Sequence, residues 1–247
     1  MSGHTHPEVL DLADRAAAPA ALASLGLDGD RPVLVSVGGA AGMDEHHLRA
    51  LGDLLRDHLV PVLSRHGVLV VDGGTRSGVM KVMGEAVDGT DVVLLGVAAT
   101  GTVVVPGREP QTADAAPLDP HHRAVLLVPG TRWGDESPWI AAVSDAAAGS
   151  APSATLLVNG GTITFQDAHH SVTVGRPVMV VAGTGRAADE IVAATRGTSS
   201  DERAVTLAAS GLVYVVDIDS GERAAATLEA LLTRDVHPAG NASAPAH

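Results

Sequence analysis

The sequence predicts an α/β fold in which a mainly parallel sheet of about seven strands is covered by helices on both faces. Three observations predict it. Short runs nearly continuous in valine and leucine recur along the chain, each followed by a segment of helical character, as expected for strands buried on both sides. Four of these runs end in glycine pairs or near-pairs, Gly38-Gly39, Gly73-Gly74, Gly160-Gly161 and Gly183-Thr184-Gly185. The 247 residues, 45% of them hydrophobic, can bury a full core as one large domain.

Residues 1–30 read as a helical N-terminal extension, with a helix over Pro7 to Leu25 interrupted by Pro19 and a polar turn from Gly26 to Asp30. The main domain is expected over residues 31–235. Its first strand is Val33 to Val37. Leu48, Leu51, Leu54, Leu55 and Leu59 then recur at helical spacing between Asp44 and Arg65, with Pro61 marking a kink or break. A strand Val68 to Val71 leads to a helix starting near Thr75 and ending before Gly89, and Val92 to Val97 is the third strand. Gly101 to Pro120 carries four prolines and reads as an exposed loop beside the site. Strands Ala124 to Val128, Thr155 to Val158, Val178 to Val181 and Leu212 to Val216 follow. Helices are expected around Pro138 to Ala148, through His170, over Arg186 to Thr195 and over Glu222 to Leu232. Residues 236–247, rich in Ala, Pro and Gly, read as a disordered tail.

Composition narrows the function. A formal charge of -13 disfavours a broad phosphate-backbone surface, so nucleic acid is not an expected partner and any anion site must be a local basic spot. The absence of cysteine excludes disulfides, thiolate catalysis and cysteine metal sites. No stretch approaches the ~20 apolar residues of a membrane span, and the N-terminus lacks the basic start and apolar core of a signal peptide. A soluble cytoplasmic protein with no membrane partner is the expectation, and homo-oligomerisation is compatible with it.

In parallel sheets ligands sit at the carboxyl ends of the strands, so four glycine ends would build a rim of closely approachable backbone. Its expected centre is Gly73 to Lys81, where a glycine turn meets a helix N-terminus that Thr75 or Ser77 can cap. Arg76 adds a donor fork suited to phosphate, and Lys81, the chain's only lysine, shares a helix face with Gly78. Lys81 also has a plainer partner in Glu85, one turn on, worth only ~0.2–0.5 kcal/mol. The stretch is not a Walker A loop, because Val79 stands where the lysine belongs.

Several motifs in order carry a resemblance. Val35-Ser36-Val37-Gly38-Gly39, then Gly73 through Ala86, Gly96-Val97-Ala98, Leu118-Asp119-Pro120-His121-His122, Val158-Asn159-Gly160-Gly161-Thr162 and Ala182-Gly183-Thr184-Gly185-Arg186 through Asp189 resemble the LSDAT branch of the SLOG superfamily. That domain forms the cytoplasmic N-terminus of melastatin-type TRP channels. The resemblance implies a Rossmann-like, doubly wound fold and a sensing domain for nucleotide-derived ligands such as ADP-ribose, with no cofactor required. It implies ligand contacts at Gly38, Gly39, Gly73, Gly74, Thr75, Arg76, Ser77, Gly78, Lys81 and His122. Asn159, Gly160, Gly161, Thr162, Gly183, Thr184, Gly185 and Arg186 complete that set.

Two enzymatic readings stand beside binding. The phosphoribohydrolases of the wider superfamily carry Pro-Gly-Gly-x-Gly-Thr-x-x-Glu, which falls here on Asn159 to Asp167 without the proline or third glycine, and with Asp167 for the glutamate. Asp167 is the catalytic candidate if the protein cleaves an N-glycosidic bond, although its place in the helix suggests a side chain aimed along the helix rather than into the cleft. Gly183-Thr184-Gly185-Arg186-Ala187-Ala188 also fits a dinucleotide fingerprint, but Asp217 lies 32 residues beyond Gly185 against about 20 expected, so an NAD-dependent oxidoreductase is the weakest reading. Of three His-His pairs, 46-47 and 169-170 read as surface residues, and His122 reads as a ligand contact; no metal site is expected. Phe165 and Trp133 are the candidate faces for an adenine.

Overall fold

A computed structural model describes residues 6–39 and 42–233. Its strands are β1 (Glu8–Asp11), β2 (Val33–Gly38), β3 (Leu69–Asp72), β4 (Val93–Ala99), the two-residue β5 (Val103–Val104) and β6 (Ala116–Pro117), β7 (Ala124–Val128), β8 (Ser153–Val158), β9 (Val178–Ala182) and β10 (Val213–Asp217). Eight of them form one sheet in the order β1-β7-β4-β3-β2-β8-β9-β10, every pair parallel. The valine-rich runs have no polar face because β3, β7 and β9 are buried throughout.

Helices α2 (Glu45–Asp53), α3 (Val60–Arg65), α4 (Gly78–Val87) and α9 (Gly221–Thr233) cover one face. Helices α1 (Ala18–Ser24), α5 (Ser137–Ala148), α6 (Thr162–Thr173), α7 (Arg186–Thr195) and α8 (Glu202–Ala209) cover the other. Alternate residues of one strand divide between the two cores: Val33, Val35 and Val37 meet the second group, and Leu34 the first. From β2 the chain steps outward through β3 and β4 to β7; α5 then returns it to β8, on the open side of β2, and β9 and β10 continue the other way. The order reverses between β2 and β8. Helices leave those two strand ends toward opposite faces, and a crevice opens between them.

Four expectations are corrected. Pro7 to Leu25 is not one interrupted helix: Glu8–Asp11 adds an edge strand, with the Glu8 N–H on the Arg123 carbonyl at 3.1 Å, and Pro19 sits in the first turn of α1, where its missing N–H is not needed. Pairing with β7 overrides the local helical pattern. Between α2 and α3 the residues Leu54–Leu59 form a π-helical segment, in which the Val60 N–H donates to the Leu55 carbonyl. This wider turn makes room for Pro61, so the helix bulges instead of breaking. The proline-rich loop holds the β5–β6 pair, and α8 was not expected. The expected tail, residues 236–247, lies outside the described residues.

The sheet fixes Gly38 most tightly. Its φ is +138°, and a Cβ there would collide with the Val158 carbonyl oxygen of the neighbouring strand. We expect Gly38→Ala to destabilise the fold by about 2–4 kcal/mol, as backbone strain plus overpacking, read as a lowered urea midpoint with an unchanged slope.

Candidate functional site

The reversal between β2 and β8 holds a cavity of about 350 Å³. Much of its rim is backbone: Gly38 ends β2 and Gly39 follows it, Gly73 follows β3, and Gly160 and Gly161 lie beyond β8. Because the strands are parallel, the fourth turn, Gly183 to Gly185, lies on the same edge. Thr162 and Ile163 open α6 at the cavity wall, and the first N–H groups of a helix find no acceptor within it. Arg186 supplies the cation. A Cβ on Gly161 would lie 3.0 Å from its Nη2, so the guanidinium rests over that glycine, on a backbone with φ of 54°. Met80, Ile140 and Trp133 add apolar surface, the indole N–H donating to Asp114 Oδ2 at 3.0 Å from the proline-rich loop.

Two carboxyl groups share this cavity, and sequence reasoning anticipated neither placement. Asp167 lines it, contrary to the expectation that its side chain runs along the helix. It lies four residues after Ile163 and three after Thr164, which also face the cavity, so all three occupy one stripe of α6. Glu136, at the start of α5 and buried, was missed altogether; only its position in the loop after a strand's carboxyl end hinted at it. Its carboxylate accepts the Gly134 N–H at 3.0 and 3.1 Å. Burial holds Glu136 above the usual carboxylate range, with the Gly134 N–H easing it only in part. Burial likewise raises Asp167 to about 7, eased by the Ser137 hydroxyl and reinforced by the negative charge of Glu136. Such a group exchanges protons near neutrality.

Other expected contacts are occupied elsewhere. Gly74 is packed against Gly96 and Val125, and Thr75 is buried, its hydroxyl 3.1 Å from that of Ser77. Arg76 is exposed, and its backbone N–H donates to the Pro117 carbonyl at 2.8 Å. Lys81 lies with Gly78 in a separate groove between α2 and α4, its ammonium 3.8 Å from Glu85. The plainer partner is the one it meets, because Lys81 sits next to Met80, the residue of α4 that faces the cavity. Asn159 ties two turns together: its side-chain amide donates to the Thr184 carbonyl at 2.6 Å, and its own N–H donates to the Thr184 hydroxyl at 2.8 Å. The N–H groups of Gly183 and Gly185 both donate to Asp189, at 2.8 and 3.1 Å, so a carboxylate of the chain itself fills that anion seat.

His122, expected as a ligand contact, lies buried in the core. Its side chain is wholly buried, with Nε2 2.8 Å from Asp72 Oδ1 and Nδ1 3.5 Å from Asp119 Oδ1. Burial opposes charge on the ring, but Asp72 and Asp119 outweigh it and push the imidazole up to about 10. Asp119 is opposed by burial too, yet its hydrogen bonds with His122 and His121 hold it below the usual range. Asp72 Oδ1 also accepts the Gly74 N–H at 2.7 Å. The buried imidazolium thereby anchors the turn that carries Gly73.

Comparison with known proteins agrees with this architecture. A family model described as SLOG in TRPM, prokaryote, matches residues 31–227. The transient receptor potential cation channel subfamily M member 2 of Rattus norvegicus is 30% identical over 197 aligned residues, covering 64% of this chain and 13% of the channel. Its Mus musculus counterpart is 29% identical with the same coverage. This chain therefore matches only 13% of the length of those relatives. The X-ray structure of TM1055, a Northeast Structural Genomics Consortium target, has a TM-score of 0.51 at 19% identity, covering 81% of this chain and 98% of that one. That likeness is one of fold.

The buried imidazolium generates a pH prediction. A folded-state pKa near 10, above the ordinary ~6.5, gives stability that is fully present below pH ~6.5 and lost as pH rises through about 10. Unfolding free energies from urea titration should fall across that window, by at most ~1.4 kcal/mol per pH unit from this one proton. His122→Gln should abolish the slope and cost about 3–5 kcal/mol at neutral pH, by leaving two buried carboxylates without their cation.

Proposed function

The chain belongs to the prokaryotic SLOG-in-TRPM family, and on that premise we propose that its crevice binds a nucleotide-derived ligand of the ADP-ribose class by the ribose phosphate. One observation carries the reading. The turns after three adjacent strands, the N-terminus of α6 and the Arg186 guanidinium converge on one cavity of about 350 Å³. The glycines let a phosphate approach the backbone, the first N–H groups of α6 and its dipole favour negative charge, and Arg186 can grip two phosphate oxygens. Glu136 and Asp167 are acceptors suited to ribose hydroxyls. In this reading the anion seat lies at the first turn of α6, Thr162 and Ile163, with Arg186, rather than at Lys81.

A second reading, cleavage of a nucleotide's N-glycosidic bond, is favoured by Asp167, whose carboxyl faces the cavity beside Glu136 and titrates near neutrality. In that reaction the Asp167 carboxylate takes a proton from water and the water oxygen bonds to the anomeric carbon. The carbon–nitrogen bond breaks and its electron pair leaves with the nucleobase, which takes up a proton from solvent while Asp167 releases to solvent the one it took from water. A base near pKa 7 is matched to such work at neutral pH.

Calorimetric titration with ADP-ribose and AMP tests the cleft. Arg186→Gln should weaken binding on the order of tenfold to a hundredfold, from a charge-assisted contact worth ~1.5–3 kcal/mol, whereas Lys81→Ala should leave it unchanged. The reverse pattern would return the anion seat to α4. Turnover is tested separately, by incubating stoichiometric protein with AMP and following free adenine. Release that Asp167→Asn abolishes would establish the hydrolytic reading, and binding without release would confine the cleft to recognition.

A further inference from the structure

A larger groove, about 660 Å³, lies beside the cleft between α6 and α8. Thr162 borders both spaces, so the groove continues the cleft around the first turn of α6. That helix divides its residues between them: Ile163, Thr164 and Asp167 face the cleft, and Phe165, Gln166 and His169 face the groove. At 350 Å³ the cleft is near the lower bound of ligand cavities, ~300–1,000 Å³, which suits a ribose phosphate and leaves a larger ligand to extend outside it.

The wall of the groove holds a prepared planar surface. The Arg203 guanidinium lies over the Phe165 ring, 4.2 Å from its centroid. Asp201 grips its edge through two hydrogen bonds, Nε to Oδ1 at 3.0 Å and Nη2 to Oδ2 at 2.6 Å. Held on one face and one edge, the side chain is still 51% exposed, so it keeps open surface toward the groove. A guanidinium stacks on flat rings, and one already fixed in place loses little freedom when a ring settles on it. Gln166, His169 and Thr206 stand around it with donors and acceptors for a ring's polar edge.

We propose that this groove is the base-binding half of the ligand site, with the nucleobase stacked on Arg203 and the ribose phosphate across Thr162 in the glycine cleft. The proposal rests on the ribose-phosphate reading of the cleft. It assigns to Phe165 an indirect part, as the support beneath the guanidinium rather than the face that meets the base.

The test is titration of AMP and of ribose 5-phosphate into the parent protein, Arg203→Ala, Arg203→Lys and Arg186→Gln, with thermal melting to confirm folding. Both Arg203 variants should lose AMP affinity on the order of tenfold and bind ribose 5-phosphate as the parent does; lysine keeps the charge but not the plane. Undiminished AMP binding in Arg203→Ala, or an equal loss for both ligands, would overturn the base site while leaving the cleft intact. A parent that binds neither ligand, or an Arg186→Gln variant that binds both as before, would remove the cleft reading and this one with it.

Discussion

Every feature of the crevice depends on one constraint, the uniform direction of eight parallel strands whose order reverses between β2 and β8. Uniform direction brings all the glycine turns to one edge. Reversal parts the helices at one place along that edge, so the cavity sits at the β2–β8 step and not at another pair of strand ends. The step must also be narrow. Gly38 pairs with Val158 and leaves no room for a side chain beside its carbonyl, and a Cβ on Gly39 would stand 3.7 Å from the Gly160 Cα. Two strand ends in such contact make a wall of backbone, which a phosphate can approach more closely than a wall of side chains.

Around that step the chain spends charge on holding its own turns. Asp72, His122 and Asp119 form a buried carboxylate–imidazolium–carboxylate line beneath Gly73 and Gly74, and Gly84 of α4 makes space for it, since a Cβ there would lie 2.6 Å from Asp119 Oδ1. Asp189 does comparable work at the turn after β9, where it accepts two N–H groups that would otherwise face an anion. A fingerprint in sequence is thus not an anion site in space. Gly183 to Ala188 has the spacing of a dinucleotide loop, but the N–H groups of Gly183 and Gly185 are taken by Asp189; those of Gly160 and Gly161 are taken too, by Asn159 Oδ1 and Thr164 Oγ1, and it is Thr162 and Ile163, at the start of α6, that meet the cavity.

What could be read from the sequence was local. Valine runs, glycine ends and apolar spacing report on neighbours in the chain, so the seven strands that residues 31–235 give to the large sheet, its parallel sense and the glycine rim are legible, whereas β1 and the β5–β6 pair are not. Strand order is not legible either, because the return of β8 to β2 is decided by contacts far apart in sequence. The same distinction separates the site residues. Gly38, Gly73, Gly160 and Arg186 border the cavity as turn chemistry suggests, whereas Lys81 and His122 look like ligand contacts until their partners, Glu85 and the two aspartates, are seen. Asp167 lies more than a turn beyond Thr162, and its place in the cleft follows instead from Ile163 and Thr164, which define the stripe that meets it.

The electrostatics of the crevice follow from burial more than from formal charge. A protein of net charge -13 repels anions at long range, and two carboxyl groups inside the cavity would repel a phosphate at close range as well. Burial alters that balance. Both Glu136 and Asp167 are held toward their neutral forms, and the negative charge of Glu136 further disfavours ionisation of Asp167. With Asp167 centred near 7, the cavity gains negative charge above neutrality and sheds it below, against the constant positive charge of Arg186 and the N-terminal dipole of α6. The group that would serve as a base in hydrolysis is therefore also the one whose ionisation opposes the phosphate. Recognition and proton transfer draw on the same carboxyl in opposite protonation states, so the pH at which the cleft holds an anion most firmly lies below the pH at which Asp167 is most able to accept a proton.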